Sequence, residues 1–374
     1  MSLTAALSKS VESGFSRCVT IKMGAPKVSI LLPSLNAREF LEPRIDSLLG
    51  QTFADWEAIV LDSGSIDGSW DFFQSVASND SRFQLHRIPR EGLYAALNRG
   101  LKIAGGQFLY FATCDDTMSP EFLSEMLEAF SKCPVAGIAA CDALFINQHG
   151  DKLSARDLRS YLSRGSIKKL LNSDTVRTAI PGEKKQNINY RPPPHDCILH
   201  YSGRSVYYSL TQLLVRADVA LAAGPFETNV GSVADLIWLL RLTNLTGTVH
   251  LPRRLATWRF HGEQLSIYRD NSRAISTSAM CRQLLPDMRQ RHERELTDDD
   301  CMLLVLECKI LAAKSLASKI GCWLEGVLRL IWVFVQWPNG MWKIFRVAGW
   351  RIINVRQYLP GVVLGTHGLA PQDL

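Results

Sequence analysis

"VSILLPSLNAREFLEPRIDSLLGQTFADWEAIVLDSGSIDGS", Val28 to Ser69, is the stretch whose reading decides the fold. A short apolar run, VSILL, gives way to the helical period LEPRIDSLLGQ. A second apolar run, WEAIVLD, then gives way to GSWDFFQSVA. Apolar β-branched runs alternating with helical periods are the signature of βαβ units in a largely parallel sheet. Outward from it the rhythm continues through RFQLHRI, a helix over 92–104, the strand QFLYFAT, a helix from about 120, and VAGIAACDALFI. The expectation is a doubly wound α/β domain: a mostly parallel central sheet with flanking helices.

That domain does not account for the whole chain. At 374 residues, and about 150 residues per domain, there is room for a second domain or an appendage. Residues 1–26 read as a loose leader lacking the continuous apolar core of a signal peptide, so a reducing, cytoplasmic setting is expected. Residues 27–270 hold the α/β domain, interrupted at 150–205 by basic, Pro-rich text such as PGEKKQNINYRPPPHD, which reads as an irregular binding loop or a disordered one. From 271 to 374 helical periods dominate. Nine scattered cysteines, odd in number and without a Cys-x-x-Cys pair, argue against a zinc ribbon or a disulfide framework. A net charge of +6 favours an anionic partner.

The tail sets bases among tryptophans. Between Lys314 and Arg356 seven Lys/Arg face the single acid Glu325, interleaved with Trp323, Trp332, Trp337, Trp342 and Trp350. The uncharged run from Leu330 stops before Lys343, short of the roughly 20 residues that span a bilayer. Two readings stand: a helix lying in the membrane interface, or a helical subdomain with buried tryptophans.

The loops after the strands carry the chemistry. Strand one runs into PSLNA, where Ser34 or Asn36 could cap the next helix; strand two ends at Asp62 in a tight Ser-Gly turn. The third and fourth strands end in PREGLYAALNRG and ATCDDTMSP. In an open parallel sheet ligands bind outside the carboxyl ends of the strands. One crevice therefore gathers a slot for a base, the basic group Arg99 and the adjacent carboxylates Asp115 and Asp116, which are either solvated loop residues or the holders of a hard cation. That collection reads as a nucleotide diphosphate site. Neither Gly-x-Gly-x-x-Gly nor Gly-x-x-x-x-Gly-Lys-Ser/Thr follows strand one, which removes the dinucleotide and phosphate-loop readings.

The opening stretch, with EGLYAALNRGLKIAGGQFLYFATCDD after it, resembles the family 2 glycosyltransferases of GT-A fold, inverting enzymes that use nucleotide-diphosphate sugars; the resemblance spans about Lys27 to Ile267. It implies that Pro33, Ser34 and Asn36 line the nucleotide pocket, that Asp62 meets the base, and that Ser65 and Asp67 shape the loop over the nucleoside. Tyr94, Asn98 and Arg99 would face the sugar-phosphate side. The family's Asp-x-Asp motif falls on Thr113, Cys114 and Asp115, so the first acid is absent here, and Ala95 stands where many relatives carry Asp. Asp115 keeps the metal position, Asp116 assists or orders the following turn, and His261, in WRFHGEQLS, is a further metal or diphosphate contact. Asp235, heading the helix ADLIWLLRLTNL, takes the place of the general base. The implied cofactor is Mn²⁺ or Mg²⁺. The implied partners are a nucleotide-diphosphate sugar donor, a glycan or lipid-linked acceptor and an anionic membrane surface on its inner face, with nucleic acid excluded.

Overall fold

The computed structural model describes residues 25–154, 157, 188–201, 207, 209–261, helical positions between 284 and 292, and 362–364. The leader and most of the tail, with the expectations placed on them, lie outside the described residues. The elements are β1 (Val28–Ser34), α1 (Arg38–Leu49), β2 (Trp56–Asp62), α2 (Ser69–Asn79), β3 (Phe83–Arg87), α3 (Leu93–Ile103), β4 (Phe108–Phe111), β5 (Thr117–Met118) and α4 (Phe122–Lys132). They continue as β6 (Ala136–Asn147), β7 (Ile188–Arg191), α5 (His195–Tyr201), β8 (Leu213–Arg216), α6 (Ala217–Ala223), α7 (Ala234–Leu245), β9 (Gly247–Phe260) and β10 (Val362–Leu364).

The ten strands form one sheet in the order β10-β7-β9-β6-β8-β4-β1-β2-β3, with β5 paired to β9. β1 and β2 are buried along their whole length, as strands covered on both faces must be. Their side chains alternate between two cores. Val28, Ile30 and Leu32, with Ala58 and Val60, pack under α1, α2 and α4; Leu31, Ile59 and Leu61 pack under α3, α6 and α7. Gly100 lets α3 settle closely on the second face, because a Cβ there would meet Leu61 Cδ1 at 2.9 Å.

Strand direction sets the functional edge. β1 is parallel to β2 and β4, and β2 is parallel to β3. β8 is antiparallel to both β4 and β6, and β6 is parallel to β9. The carboxyl ends of β1, β2, β3, β4, β6 and β9 therefore share one edge. α7 ends two residues before β9 begins, so it runs against β9 and sets Asp235 at that same edge.

Two departures from the sequence reading stand out. Residues 188–201, read as irregular, contain β7 and α5: β7 pairs antiparallel with β9 and places the buried Arg191 beside Asp196. Residues 362–364, in a region read as helical, form an edge strand antiparallel to β7. Apolar periodicity could not find β7, because its IleAsnTyrArg sequence buries polar side chains.

Candidate active site at the carboxyl edge

The loops after β1 and β2 are laced together. Asn36, in the left-handed region at φ 48°, accepts from the Ile66 N–H through Oδ1 (2.9 Å), and its own N–H donates to Ser65 Oγ (2.9 Å). The start of α1 is capped from across the gap, since Ala37 N–H donates to Ser69 Oγ (3.1 Å) and Arg38 N–H to Asp67 Oδ2 (2.9 Å). The capping expected of Ser34 or Asn36 is thus supplied by Asp67 and Ser69. Burial works to raise the Asp67 carboxyl, but the bonds from Ser69 and Arg38 outweigh it and hold the group below its ordinary range.

This lacing leaves two buried acceptors short of partners. Asp62 is fully buried; Oδ2 accepts from Gly64 and Ser65 N–H (both 3.1 Å), while Oδ1 has no partner. Ser34 Oγ is also buried without a full hydrogen bond. Pro33 closes the floor, its carbonyl accepting from the Cys114 thiol (3.2 Å). Arg87, absent from the sequence reading, stands 3.7 Å from Asp62 Oδ2 and lies over the Trp70 ring. Its signal was the register, in which Asp62 and Arg87 are neighbours at the ends of β2 and β3.

The second half of the site is built by β5. Thr117 pairs with Thr257 and Met118 with Ala256, which carries the Asp115–Asp116 turn onto the end of β9. There Asp115 Oδ2 lies 3.0 Å from His261 Nε2. Burial pushes the Asp115 carboxyl upward, but the hydrogen bond from His261 and the nearby Thr113 hydroxyl prevail, so it stays below the usual range. Asp116 behaves oppositely. It is 2% exposed, accepts from the Arg259 N–H (2.9 Å), and is pushed up to about 8 by burial and by the Asp115 charge. Of the two readings of Asp116, its inward-facing carboxyl and the bond from the Arg259 N–H favour the one that orders the turn; the more exposed pair is Asp115 with His261. No group of three or more His, Cys, Asp or Glu that could hold an ion occurs among the described residues. The pair nonetheless fits a hard cation, because Mg²⁺ and Mn²⁺ keep several waters and substrate phosphates as ligands, and two neighbouring ligands of one such ion sit about 3 Å apart.

Two further residues brace this turn from α1. The Phe40 ring lies 4.8 Å from that of His261, and the fully buried Arg44 guanidinium faces the Tyr110 ring at 5.3 Å. Their spacing of four residues on one helix face was the signal available in the sequence.

Asp235 sits in the first turn of α7, where burial raises its carboxyl to about 6 against the pull of the Leu236 N–H. Tyr94 is beside it. Burial and then the Asp235 charge raise that phenol, and its ring packs 5.7 Å from Phe226. Asn98 is otherwise engaged than expected: its amide donates to Phe226 O (2.9 Å) and accepts from Phe226 N–H (2.8 Å), clamping α3 to the loop before α7. Arg99 pairs with Glu91 at 2.6 Å and lines a groove of about 410 Å³ with Lys102 and Thr228. The edge thus holds two buried acceptors short of partners, a carboxylate–imidazole pair and a carboxyl of raised affinity for protons.

Comparison with known proteins follows this geometry. Residues 29–207 match the family described as "Glycosyl transferase family 2". A "PGL/p-HBAD biosynthesis glycosyltransferase" of Mycobacterium bovis is 38% identical over 97 residues, spanning 26% of this chain and 38% of that protein. The "Putative teichuronic acid biosynthesis glycosyltransferase TuaG" of Bacillus subtilis is 34% identical over 104 residues, spanning 28% of this chain and 41% of its own length. The matches cover well under half of these relatives. Among solved structures, S. aureus TarS 1-349 in complex with UDP-GlcNAc superposes with a TM-score of 0.54 at 14% identity, covering 76% of this chain and 72% of that one. At that identity the likeness is one of fold.

Proposed function

Because residues 29–207 match the family described as glycosyltransferase family 2, we propose that the chain moves a sugar from a nucleotide-diphosphate donor to a hydroxyl acceptor in one displacement, with inversion at the anomeric carbon. The observation that carries this reading is the Asp115–His261 pair, 3.0 Å apart beside the nucleoside pocket's unpartnered Asp62 Oδ1. Asp62 would accept a ring N–H of the base. Asp115 and His261 would hold Mn²⁺ or Mg²⁺, which when bound neutralises charge on the departing diphosphate.

Asp235 would take the proton of the attacking hydroxyl. A carboxyl raised to about 6 is ionised at neutral pH yet more basic than an ordinary aspartate, which suits a general base worth typically 10²–10⁴-fold. Tyr94 and the Asn98 clamp would fix the approach of α7. The relative named for teichuronic acid biosynthesis and the UDP-GlcNAc complex of TarS support a donor of this class and an acceptor in surface polysaccharide or lipid-linked glycan synthesis. The basic, Trp-rich tail supports attachment to an anionic membrane face.

Thr113 and Ala95, standing where relatives carry acids, favour a second reading, a relative that binds donor without transferring. One experiment separates them: a panel of nucleotide-diphosphate sugars with and without Mn²⁺, read by thermal stabilisation and by donor hydrolysis. Stabilisation with turnover supports transfer; stabilisation alone supports the second reading; neither removes both.

A further inference from the structure

Arg259 reaches the Asp115–Asp116 turn from the end of β9, and its partners are unusual. It is 5% exposed. Nε donates to the Asp115 carbonyl (2.7 Å), and Nη1 donates to the carbonyls of Asn147 (3.1 Å) and Gln148 (2.9 Å) at the end of β6. Its backbone N–H is the donor to Asp116 Oδ1. Its guanidinium lies over Phe40, 5.6 Å from the centroid, the same ring that packs against His261.

An arginine beside a diphosphate site is usually expected to meet the phosphates. This one faces inward and bridges backbone carbonyls, joining the end of β6, the end of β9 and the β4–β5 turn. We infer that Arg259 is a positioning residue: it fixes the main chain of Asp115 so that Asp115 Oδ2 and His261 Nε2 stay 3.0 Å apart, ready for a divalent cation. The inference rests on the metal reading of that pair.

The physical case is one of geometry. β5 is two residues long, and two ladder pairs are a weak anchor for a turn carrying two adjacent carboxyl groups. A planar guanidinium with several N–H groups in a fixed fork can bind three carbonyls from two segments at once. Lysine offers a point charge on a flexible stem and cannot reproduce that fork. His261 stands two residues after Arg259, just past the end of β9, and both side chains pack on the Phe40 ring; one strut therefore sits beside both ligands.

The test uses the full chain and the variants Arg259→Lys and Arg259→Met, with Mn²⁺ titrated calorimetrically in the presence of UDP, and UDP titrated separately in EDTA. Outer-shell partners of metal ligands typically contribute roughly 10–100-fold to affinity, so both variants should bind Mn²⁺ at least about tenfold more weakly while UDP affinity in EDTA is unchanged. Unchanged UDP binding in EDTA shows that the nucleoside half is folded, which a general structural collapse would not allow. Mn²⁺ affinity equal to wild type in Arg259→Lys overturns the inference alone. Parallel loss of UDP binding in EDTA in both variants overturns it too, by making Arg259 a support of the whole edge. If wild-type protein takes up no Mn²⁺ with UDP, the metal reading fails and this inference fails with it.

Discussion

Asp115 and His261 are 146 residues apart in the chain and 3.0 Å apart in space. The contact depends on β5, which folds the turn after β4 back onto β9 and so joins the first half of the sheet to the last. With Asp116 turned inward, Asp115 is the carboxylate left to face a cation. Asp115→Asn should therefore abolish Mn²⁺-dependent binding of a nucleotide-diphosphate sugar while leaving metal-free nucleoside binding in place. Calorimetry with and without EDTA checks this, and Mn²⁺-dependent affinity equal to wild type would overturn it.

Asp235→Asn should leave donor affinity nearly intact and lower turnover by at least about a hundredfold, the loss expected from removing a general base. In the wild type, kcat should fall as pH drops below about 6, where the carboxyl gains its proton. The stability sign runs the other way. The folded-state value is raised above the ordinary 3.8, so the protonated form is favoured by folding, and that contribution is lost as pH rises through 6. The Asn variant should then be at least as stable as wild type at pH 8, measured by thermal unfolding. A collapse of donor binding with turnover retained would place Asp235 in the donor pocket.

Much of this edge was legible because parallel strands and their helices announce themselves in apolar period, and because each loop after a strand opens on the same side. The helix expected over 92–104 is found at Leu93–Ile103, Asp62 ends β2, and Asp115 lies in the turn that follows β4. What sequence could not show was which polar atoms face inward. Asp115 and Asp116 are identical in type and adjacent; the His261 imidazole beside one and the Arg259 N–H to the other, both reached through long-range pairing, separate their roles. Asn98 reads as a donor-site amide, yet the main chain of Phe226, 128 residues away, holds both its ends. β7 and β10 escaped for a different reason, since their pairing is long-range, β7 is four residues with its polar Asn189 and Arg191 buried, and β10 is only three residues long.

The second core is most vulnerable at Trp238. Its ring is fully buried, stacked 4.6 Å from Phe226 and edge-on to Phe111 at 5.1 Å, with Nε1 donating to Gly224 O at 2.9 Å. Truncation leaves a large cavity and an unpaired carbonyl, so Trp238→Ala should cost about 3–5 kcal/mol in denaturant unfolding. Trp238→Phe should cost less, because a ring remains against Phe226. Because Trp238 lies one turn after Asp235 on α7, the Ala variant should also lower kcat more than donor affinity. Equal stability of Trp238→Ala and wild type would contradict the packing account.

The last prediction concerns the tail. Deleting residues from Gly321 onward should release the protein from anionic liposomes, because each of several bases near such a surface contributes about 1 kcal/mol and interfacial tryptophans add to it. That deletion also removes β10, whose antiparallel pairing covers the β7 edge, and an uncovered edge strand is a template for association. Loss of liposome binding through aggregation would then imitate loss of a membrane anchor. A second variant lacking only residues 321–356 keeps β10 and removes all five bases from Arg329 to Arg356 and all five tail tryptophans. If attachment is interfacial, both variants should stay in the supernatant at low salt, while full-length protein sediments with liposomes at low salt and less at high salt. The shorter deletion should remain monomeric by light scattering, whereas the longer one should associate as concentration rises. Full-length protein that ignores anionic liposomes at both salts would end the membrane reading and leave the tryptophans to a packed helical subdomain.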